Sequence, residues 1–286
     1  MQTNKDNKKM ATKANEAVIR DLHIEHVKKT FNKGSANEVV LYKDLNVDIK
    51  AGEFVTIIGS NGSGKSTFFN VISGNIQQDY GKVVFGDKDI SHLPEHKRSQ
   101  FIGRVFQDPQ KGTAPSLTIT QNMAMAYNKG KSFGLSKGVD KSLIPLFKEE
   151  LTNMQLGLEN KMDVLVGALS GGQRQALSLL MATLITPDLL LLDEHTAALD
   201  PKTSDLIIHL TDKIVKEKKM TSIMITHNLK HAITYGNRLL MFHKGEIIMD
   251  IKEEEKKTLT VEKLIEKFNS LNMMDALDDE LAFSAQ

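Results

Sequence analysis

Residues 59–66 have the types and the spacing of a loop that binds phosphate. The loop consists of Gly59, Ser60, Asn61, Gly62, Ser63, Gly64, Lys65 and Ser66, with Thr67 next. It follows the apolar run Phe54–Ile58, typical of a buried strand, and precedes a predicted helix over Thr67–Ser73. Glycines let successive N–H groups point at a polyphosphate, and the helix adds its positive end. We expect Lys65 to contact the β- and γ-phosphates and Ser66 to ligate Mg²⁺.

Two acids follow a second apolar run, Leu189–Leu192. Asp193 and Glu194 then lie at the carboxyl end of a predicted central strand, where open α/β sheets bind their ligands. We expect Asp193 to hold Mg²⁺, directly or through water, and Glu194 to be the general base for the attacking water. An acidic pair at a strand end is often only solvated, but the phosphate loop upstream favours the catalytic interpretation.

A second cradle suited to phosphate lies just ahead of the apolar helix predicted over Gln175–Ile185. It consists of Leu169, Ser170, Gly171, Gly172 and Gln173. A serine hydroxyl and glycine amides at a helix N-terminus suit a phosphate group. One nucleotide does not need two such cradles in one subunit, so we infer that this one serves a nucleotide held by another copy. A helix cap without a ligand is the alternative.

Together these motifs resemble those of the ATP-binding subunits of ABC transporters, over about residues 20–250. The resemblance identifies residues 169–173 as the signature motif and implies roles for further residues. Gln107 matches the glutamine loop, which touches Mg²⁺ and the attacking water, and His227 matches the switch histidine, which contacts the γ-phosphate. Asp200 matches the aspartate loop at the dimer interface.

The same resemblance assigns one aromatic residue and shows one departure. Phe31 occupies the place of a ring that stacks on adenine, with a core position at a strand end as the alternative. His195 stands where the family usually has proline. We interpret His195 as a packing or backbone substitution, although a role in tuning the adjacent base is conceivable.

The expected fold is α/β, a P-loop NTPase core with an ABC-type antiparallel β layer and an inserted helical subdomain. Alternation at Leu22 and Ile24 predicts an antiparallel strand, and strands alternating with helices after Leu189 predict a parallel sheet. We expect a flexible tail over 1–17, an ATPase domain over 18–252 with a helical subdomain at about 116–168, and a C-terminal helical extension and tail over 253–286. Within the subdomain, Lys129–Lys141 is rich in Gly, Ser and Lys, which predicts a solvated loop, with contact to anionic lipid or a partner as the alternative.

The composition narrows the possible functions. Lys and Arg (37) nearly balance Asp and Glu (36), giving a net charge of +1 and no basic excess for nucleic-acid binding. The absence of cysteine excludes disulfides, thiolate catalysis and Cys-ligated zinc. No apolar run approaches the ~20 residues needed to cross a bilayer, and residues 1–17 lack the apolar core of a secretory signal.

The resemblance therefore implies Mg²⁺-dependent ATP hydrolysis by a head-to-tail homodimer on the cytoplasmic face of the cell membrane, driving separate transmembrane permease subunits. Gly112–Thr118 and Asp193–Pro201 resemble the subgroup paired with tryptophan or tyrosine uptake systems. We therefore expect an importer of a small solute such as an amino acid, working with an extracytoplasmic solute-binding protein. An exporter or lipid-extraction ATPase, and a soluble ABC ATPase of cofactor assembly, are the alternatives.

Overall fold

The structure, a computed structural model, describes residues 20–131 and 138–270. The strands in these ranges are β1 (Leu22–Phe31), β2 (Val39–Ile49), β3 (Phe54–Ile58), β4 (Tyr80–Phe85), β5 (Lys88–Asp89), β6 (Ile102–Val105), β7 (Leu189–Asp193), β8 (Thr221–Ile225), β9 (Arg238–His243) and β10 (Glu246–Ile251). The α-helices in the same ranges are α1 (Lys65–Ser73), α2 (Glu95–Arg98), α3 (Ile119–Tyr127), α4 (Ile144–Asn153), α5 (Gly171–Thr183), α6 (Pro201–Glu217), α7 (Leu229–Thr234), α8 (Glu253–Lys256) and α9 (Val261–Ser270).

A six-stranded sheet carries the phosphate loop. Its order is β10-β9-β3-β8-β7-β6, and every neighbouring pair is parallel except β10 with β9. Strand β3 and the four leucines of β7 are fully buried, as expected for strands covered on both faces. The sheet places the ends of β3, β7 and β8 side by side, so the residues that follow these strands share one edge.

A four-stranded antiparallel sheet, ordered β2-β1-β4-β5, forms the second layer. The alternation in β1 and β2 matches their pairing, with Leu22 opposite Ile49 and Ile24 opposite Val47. Helix α1 contributes Phe68 and Phe69 to the core that both sheets share. The predicted combination of an α/β core with an antiparallel layer is therefore confirmed.

Helices α3, α4 and α5 pack around a second core, which includes Met123, Phe147 and Leu151. The buried Asn122 side chain bonds to Ala114 and Thr118 and ties the segment before α3 to that helix. Most of residues 129–131 and 138–141 are exposed. The rest of the predicted loop, residues 132–137, lies outside the described residues.

The C-terminal segment packs on the six-stranded sheet. Leu264 and Phe268 of α9 are buried in one cluster with Ile58 and Met241. Lys256 of α8 reaches Thr56 in β3, with Nζ 3.0 Å from Thr56 Oγ1. The predicted tail over 1–17 and residues 271–286 lie outside the described residues. None of the helices in residues 20–131 and 138–270 combines the length and the apolar character that a membrane span needs.

Two helices begin earlier than predicted because their caps lie in the motifs. Helix α1 starts at Lys65, directly after Gly64 in the left-handed conformation. Helix α5 starts at Gly171, because the Ser170 side chain accepts a hydrogen bond from the Gln173 N–H and caps the helix. Both phosphate-type motifs therefore lie at helix N-termini.

Candidate active site

Two glycines of the phosphate loop occupy positions that no other residue fits. Gly59 has φ 146°, and a Cβ there would lie 2.2 Å from the carbonyl oxygen of Phe242. Gly64 has φ 110°, and a Cβ there would lie 2.9 Å from the Tyr42 ring. The Tyr42 hydroxyl also donates to the Gly64 carbonyl at 2.6 Å. The loop is therefore clamped between β9 and the antiparallel layer.

The interior of the phosphate loop contains buried hydrogen-bond donors that can bind an anion. Lys65 is only 4% exposed, and its Nζ donates to the Gly59 carbonyl at 2.6 Å and to the Ser60 carbonyl at 2.9 Å. Among the described residues, none provides a hydrogen-bond partner for the buried Ser63 hydroxyl. Phosphate oxygens suit both groups, since an ammonium and a hydroxyl can each donate to them.

The carboxylate of Glu194 is held by the residue that the resemblance named as the switch histidine. Glu194 follows β7 with φ 45°, uncommon for a non-glycine residue, and its N–H donates to Ile225 at the end of β8. His227 Nε2 lies 2.6 Å from Glu194 Oε1. Burial raises the pKa of Glu194, but the hydrogen bond and charge of His227 and the charge of Lys65 outweigh it, so this pKa lies below its ordinary value. Glu194 is thus an ionised carboxylate at neutral pH.

Asp193 and the expected Mg²⁺ ligands meet in one cavity of about 460 Å³. Its lining includes Ser66, Asn70, Arg104, Gln107, Asp193 and Glu194. A hydroxyl, an amide and a carboxylate are hard oxygen donors of the kind that Mg²⁺ takes. No group of three or more His, Cys, Asp or Glu side chains within the described ranges could hold a metal ion. The hydroxyl of Ser66, the amide of Gln107 and the carboxylate of Asp193 fit a Mg²⁺ ion that also takes phosphate oxygens as ligands.

The signature residues lie elsewhere in the subunit. Ser170 and Gly171 are exposed at the start of α5, and Gly172 lies against Thr203 of α6. Asp200 is also exposed, and its carboxylate caps α6 by accepting from the Thr203 N–H. Among the residues that the structure describes, neither the 170–173 stretch nor Asp200 contributes to the lining of the cavity. This subunit therefore brings together the phosphate loop, both acids, Gln107 and His227, but not the signature.

Phe31 lies at the end of β1 and is partly exposed, so it is not a core residue. Val39 and Val40 are about half exposed (53% and 50%), and Val39 pairs with Phe31 in the β1–β2 ladder. The Phe31 ring and its cross-strand partner Val39 offer an apolar surface on which a purine can stack.

His195 is 2% exposed, and its Nε2 lies 2.9 Å from the Thr211 hydroxyl in α6. Burial, together with the charge of His231, lowers the pKa of His195 to about 3, so the ring is neutral. This geometry favours a packing role for His195.

Sequence reasoning missed two residues that contact the site. Tyr42 clamps Gly64, and Arg104 in β6 donates to Asp193 Oδ2 at 2.6 Å. Arginine within the apolar run Ile102–Phe106 was the available signal for Arg104, because a buried strand seldom carries a charge without a partner. Tyr42 carries no such signal, since aromatic residues are common in strands.

Comparison with known proteins agrees with the geometry. The model of the ABC transporter family matches residues 42–197. The chain is 50% identical to the tyrosine transport ATP-binding protein of Clostridioides difficile strain R20291, covering 86% of this chain and 98% of that protein. It is 33% identical to the ABC transporter ATP-binding protein YtrE of Bacillus subtilis strain 168, covering 78% of this chain and 94% of that protein.

Solved structures give the same result. A dimeric ATP-binding cassette in a post-hydrolysis state, bound to ADP and Pi, matches with a TM-score of 0.69 and 30% identity, covering 81% of this chain and 98% of that one. The cbiO1 subunit of Clostridium perfringens, part of the ABC transporter complex cbiONQ, matches with a TM-score of 0.68 and 26% identity, covering 87% and 94%. The chain belongs to the ABC transporter family and is one of its ATP-binding subunits.

Proposed function

We propose that this subunit hydrolyses ATP with Mg²⁺ and that Glu194 is the general base. The observation that carries the proposal is the Glu194–His227 pair, 2.6 Å apart, beside a cavity that Ser66 and Asp193 also line. An ionised carboxylate oriented by an imidazole can accept a proton from a water molecule. Lys65 and the loop amides would bind and orient the phosphates, and Ser66, Asp193 and Gln107 would hold Mg²⁺, which neutralises phosphate charge when bound.

The complete site is a composite of two subunits in this proposal. Ser170 and Gly171 are exposed and Gly172 is partly exposed at the start of α5, and none of the three lines the cavity of its own chain. A partner in head-to-tail orientation would place them, with Gln173 and Asp200, against the nucleotide bound at Lys65. The relative bound to ADP and Pi is a dimer, which supports this arrangement.

The transported solute is an aromatic amino acid in this proposal, and the direction is import. The support is the 50% identity over 247 residues to a protein named for tyrosine transport. The subunit would dock on separate transmembrane permeases at the cytoplasmic face, and an extracytoplasmic solute-binding protein would deliver the amino acid.

Mixing two inactive variants tests the composite site. Lys65→Ala removes the phosphate lysine, and Gly171→Asp places a carboxylate where a phosphate should lie. In a mixed dimer both lesions fall in one composite site, so the second site is intact and ATPase activity should reappear. Cysteines introduced at Ser63 and Ser170 should crosslink between subunits when ATP is bound, and the chain has no native cysteine to interfere. Hydrolysis by a preparation that never crosslinks between subunits would refute the head-to-tail arrangement.

Uptake measurements test the substrate. The chain is reconstituted in vesicles with a candidate permease and a candidate solute-binding protein from the same organism, and labelled tyrosine, tryptophan and leucine are compared. We expect ATP-dependent uptake of an aromatic amino acid, and none with the Glu194→Gln subunit. Uptake of leucine alone, or efflux of the aromatic amino acids, would contradict the substrate or the direction while leaving the ATPase assignment intact.

A further inference from the structure

Arg104 forms an ion pair with the carboxylate assigned to Mg²⁺. The residue lies in β6, beside β7 in the parallel ladder, and its Nη2 lies 2.6 Å from Asp193 Oδ2. The two side chains are only 13% and 15% exposed. A charge-assisted hydrogen bond of this length, largely shielded from water, is among the stronger polar contacts in a protein.

Two further contacts fix the guanidinium in this position. Its Nη1 donates to Asn70 Oδ1 in α1 at 2.8 Å. Its carbon lies 4.8 Å from the centre of the Phe106 ring, within range of a cation–π contact. The helix of the phosphate loop, the strand before Gln107 and the carboxylate of Asp193 are therefore joined through one cation.

A guanidinium and a divalent cation compete for the oxygens of the same carboxylate. Arginine is always charged, so this competition does not disappear at any physiological pH. Mg²⁺ requires close to ideal octahedral geometry and loses its waters reluctantly, so an oxygen already bonded to a guanidinium is a poorer ligand for it.

We propose that Arg104 competes with Mg²⁺ for Asp193 and so sets how strongly nucleotide binding depends on the metal. This inference rests on the proposed function, in which Asp193 is a Mg²⁺ ligand. Arg104 acts through Asp193 and is a positioning residue in this proposal. In this proposal the guanidinium withdraws from Oδ2 when the carboxylate turns to the metal, which couples β6 and the nearby Gln107 to occupation of the site.

The test compares nucleotide affinity with and without the metal. Binding of a fluorescent ATP analogue is measured in excess Mg²⁺ and in EDTA, in a Glu194→Gln background that prevents turnover. Arg104→Met keeps the apolar stem and removes the charge. We expect the affinity for the nucleotide in Mg²⁺ to rise about tenfold and the affinity in EDTA to stay within about twofold of the starting value. The reason is that losing a hydrogen bond to a charged group changes an equilibrium constant by on the order of a factor of ten.

Arg20→Met is the matched control, because it breaks another Arg–Asp pair of 2.8 Å, at Asp188. It should leave both affinities unchanged. Arg104→Lys, which keeps a charge but loses the planar fork, should fall between wild type and Arg104→Met, and it serves as the test if Arg104→Met does not fold.

An unchanged or weakened Mg²⁺-dependent affinity in a folded Arg104 variant would overturn the proposal. If Mg²⁺ has no effect on affinity in the Glu194→Gln protein with Arg104 intact, the role of Asp193 in the proposed function is refuted instead. The two failures are therefore distinguishable.

Discussion

Replacing Lys256 with methionine should change how the stability of the protein depends on pH. Lys256 is 4% exposed, and its Nζ donates to Thr56 Oγ1 at 3.0 Å and to the Tyr235 carbonyl at 2.5 Å. No carboxylate of the described residues forms an ion pair with it. Burial lowers the pKa of Lys256 from 10.5 to about 7. The contact joins the C-terminal segment to β3, the strand that leads into the phosphate loop.

The sign and size of the effect follow from this pKa. Between pH 7 and 10 the unfolded chain carries a proton on Lys256 that the folded chain has lost, so this residue makes unfolding less favourable as pH rises. The contribution of Lys256 to the free energy of unfolding should therefore increase by about 2 kcal/mol from pH 7 to pH 9. Met fills similar volume and cannot titrate, and any loss of packing is the same at both pH values.

Urea unfolding followed by far-UV circular dichroism provides the measurement, because the chain contains no tryptophan. The difference in free energy of unfolding between wild type and Lys256→Met should move in favour of wild type by about 2 kcal/mol from pH 7 to pH 9. Lys257→Met is the control. The Lys257 side chain is 57% exposed, and hydrogen bonds with Glu254 and Glu253 raise its pKa. The difference in free energy of unfolding between wild type and Lys257→Met should therefore not change from pH 7 to pH 9. If the difference between wild type and Lys256→Met is also the same at pH 7 and pH 9, the pKa of Lys256 is not lowered by folding.

Three further predictions concern the site. Glu194→Gln should keep ATP binding and lose most turnover, while Lys65→Ala should lose binding itself; a Glu194→Gln protein that still hydrolyses ATP near the wild-type rate would exclude Glu194 as the base. His195→Pro should leave the ATPase rate within a few-fold of wild type, and a fall of roughly a hundredfold would give this residue a catalytic role instead. Tyr42→Phe should lower the free energy of unfolding by about 1 kcal/mol, because Gly64 loses one buried hydrogen bond. The affinity for ATP should fall together with the stability, and thermal unfolding with and without ATP measures both effects. An unchanged affinity would mean that the contact of Tyr42 with Gly64 does not shape the phosphate loop.

The sequence by itself determined the parts of this protein that depend on neighbouring residues. Strand β3 has the predicted bounds, Phe54–Ile58, because four apolar residues and one threonine directly before a glycine-rich loop favour a short buried strand. The phosphate loop, the two acids at the end of β7 and the exposed cap at Ser170 follow from local chemistry in the same way. The family follows from these motifs, because their order along the chain is itself sequence information.

Only the tertiary structure decided which of these residues meet. His227 and Glu194 are 33 positions apart and touch because β7 and β8 are adjacent and parallel. Arg104 reaches Asp193 across 89 positions because β6 lies on the other side of β7. Hydrophobic periodicity predicts that a strand exists but not which strand lies beside it, since buried strands of similar composition are interchangeable until the whole chain is packed. The pairing of Arg104 with Asp193 therefore depends on the folded sheet.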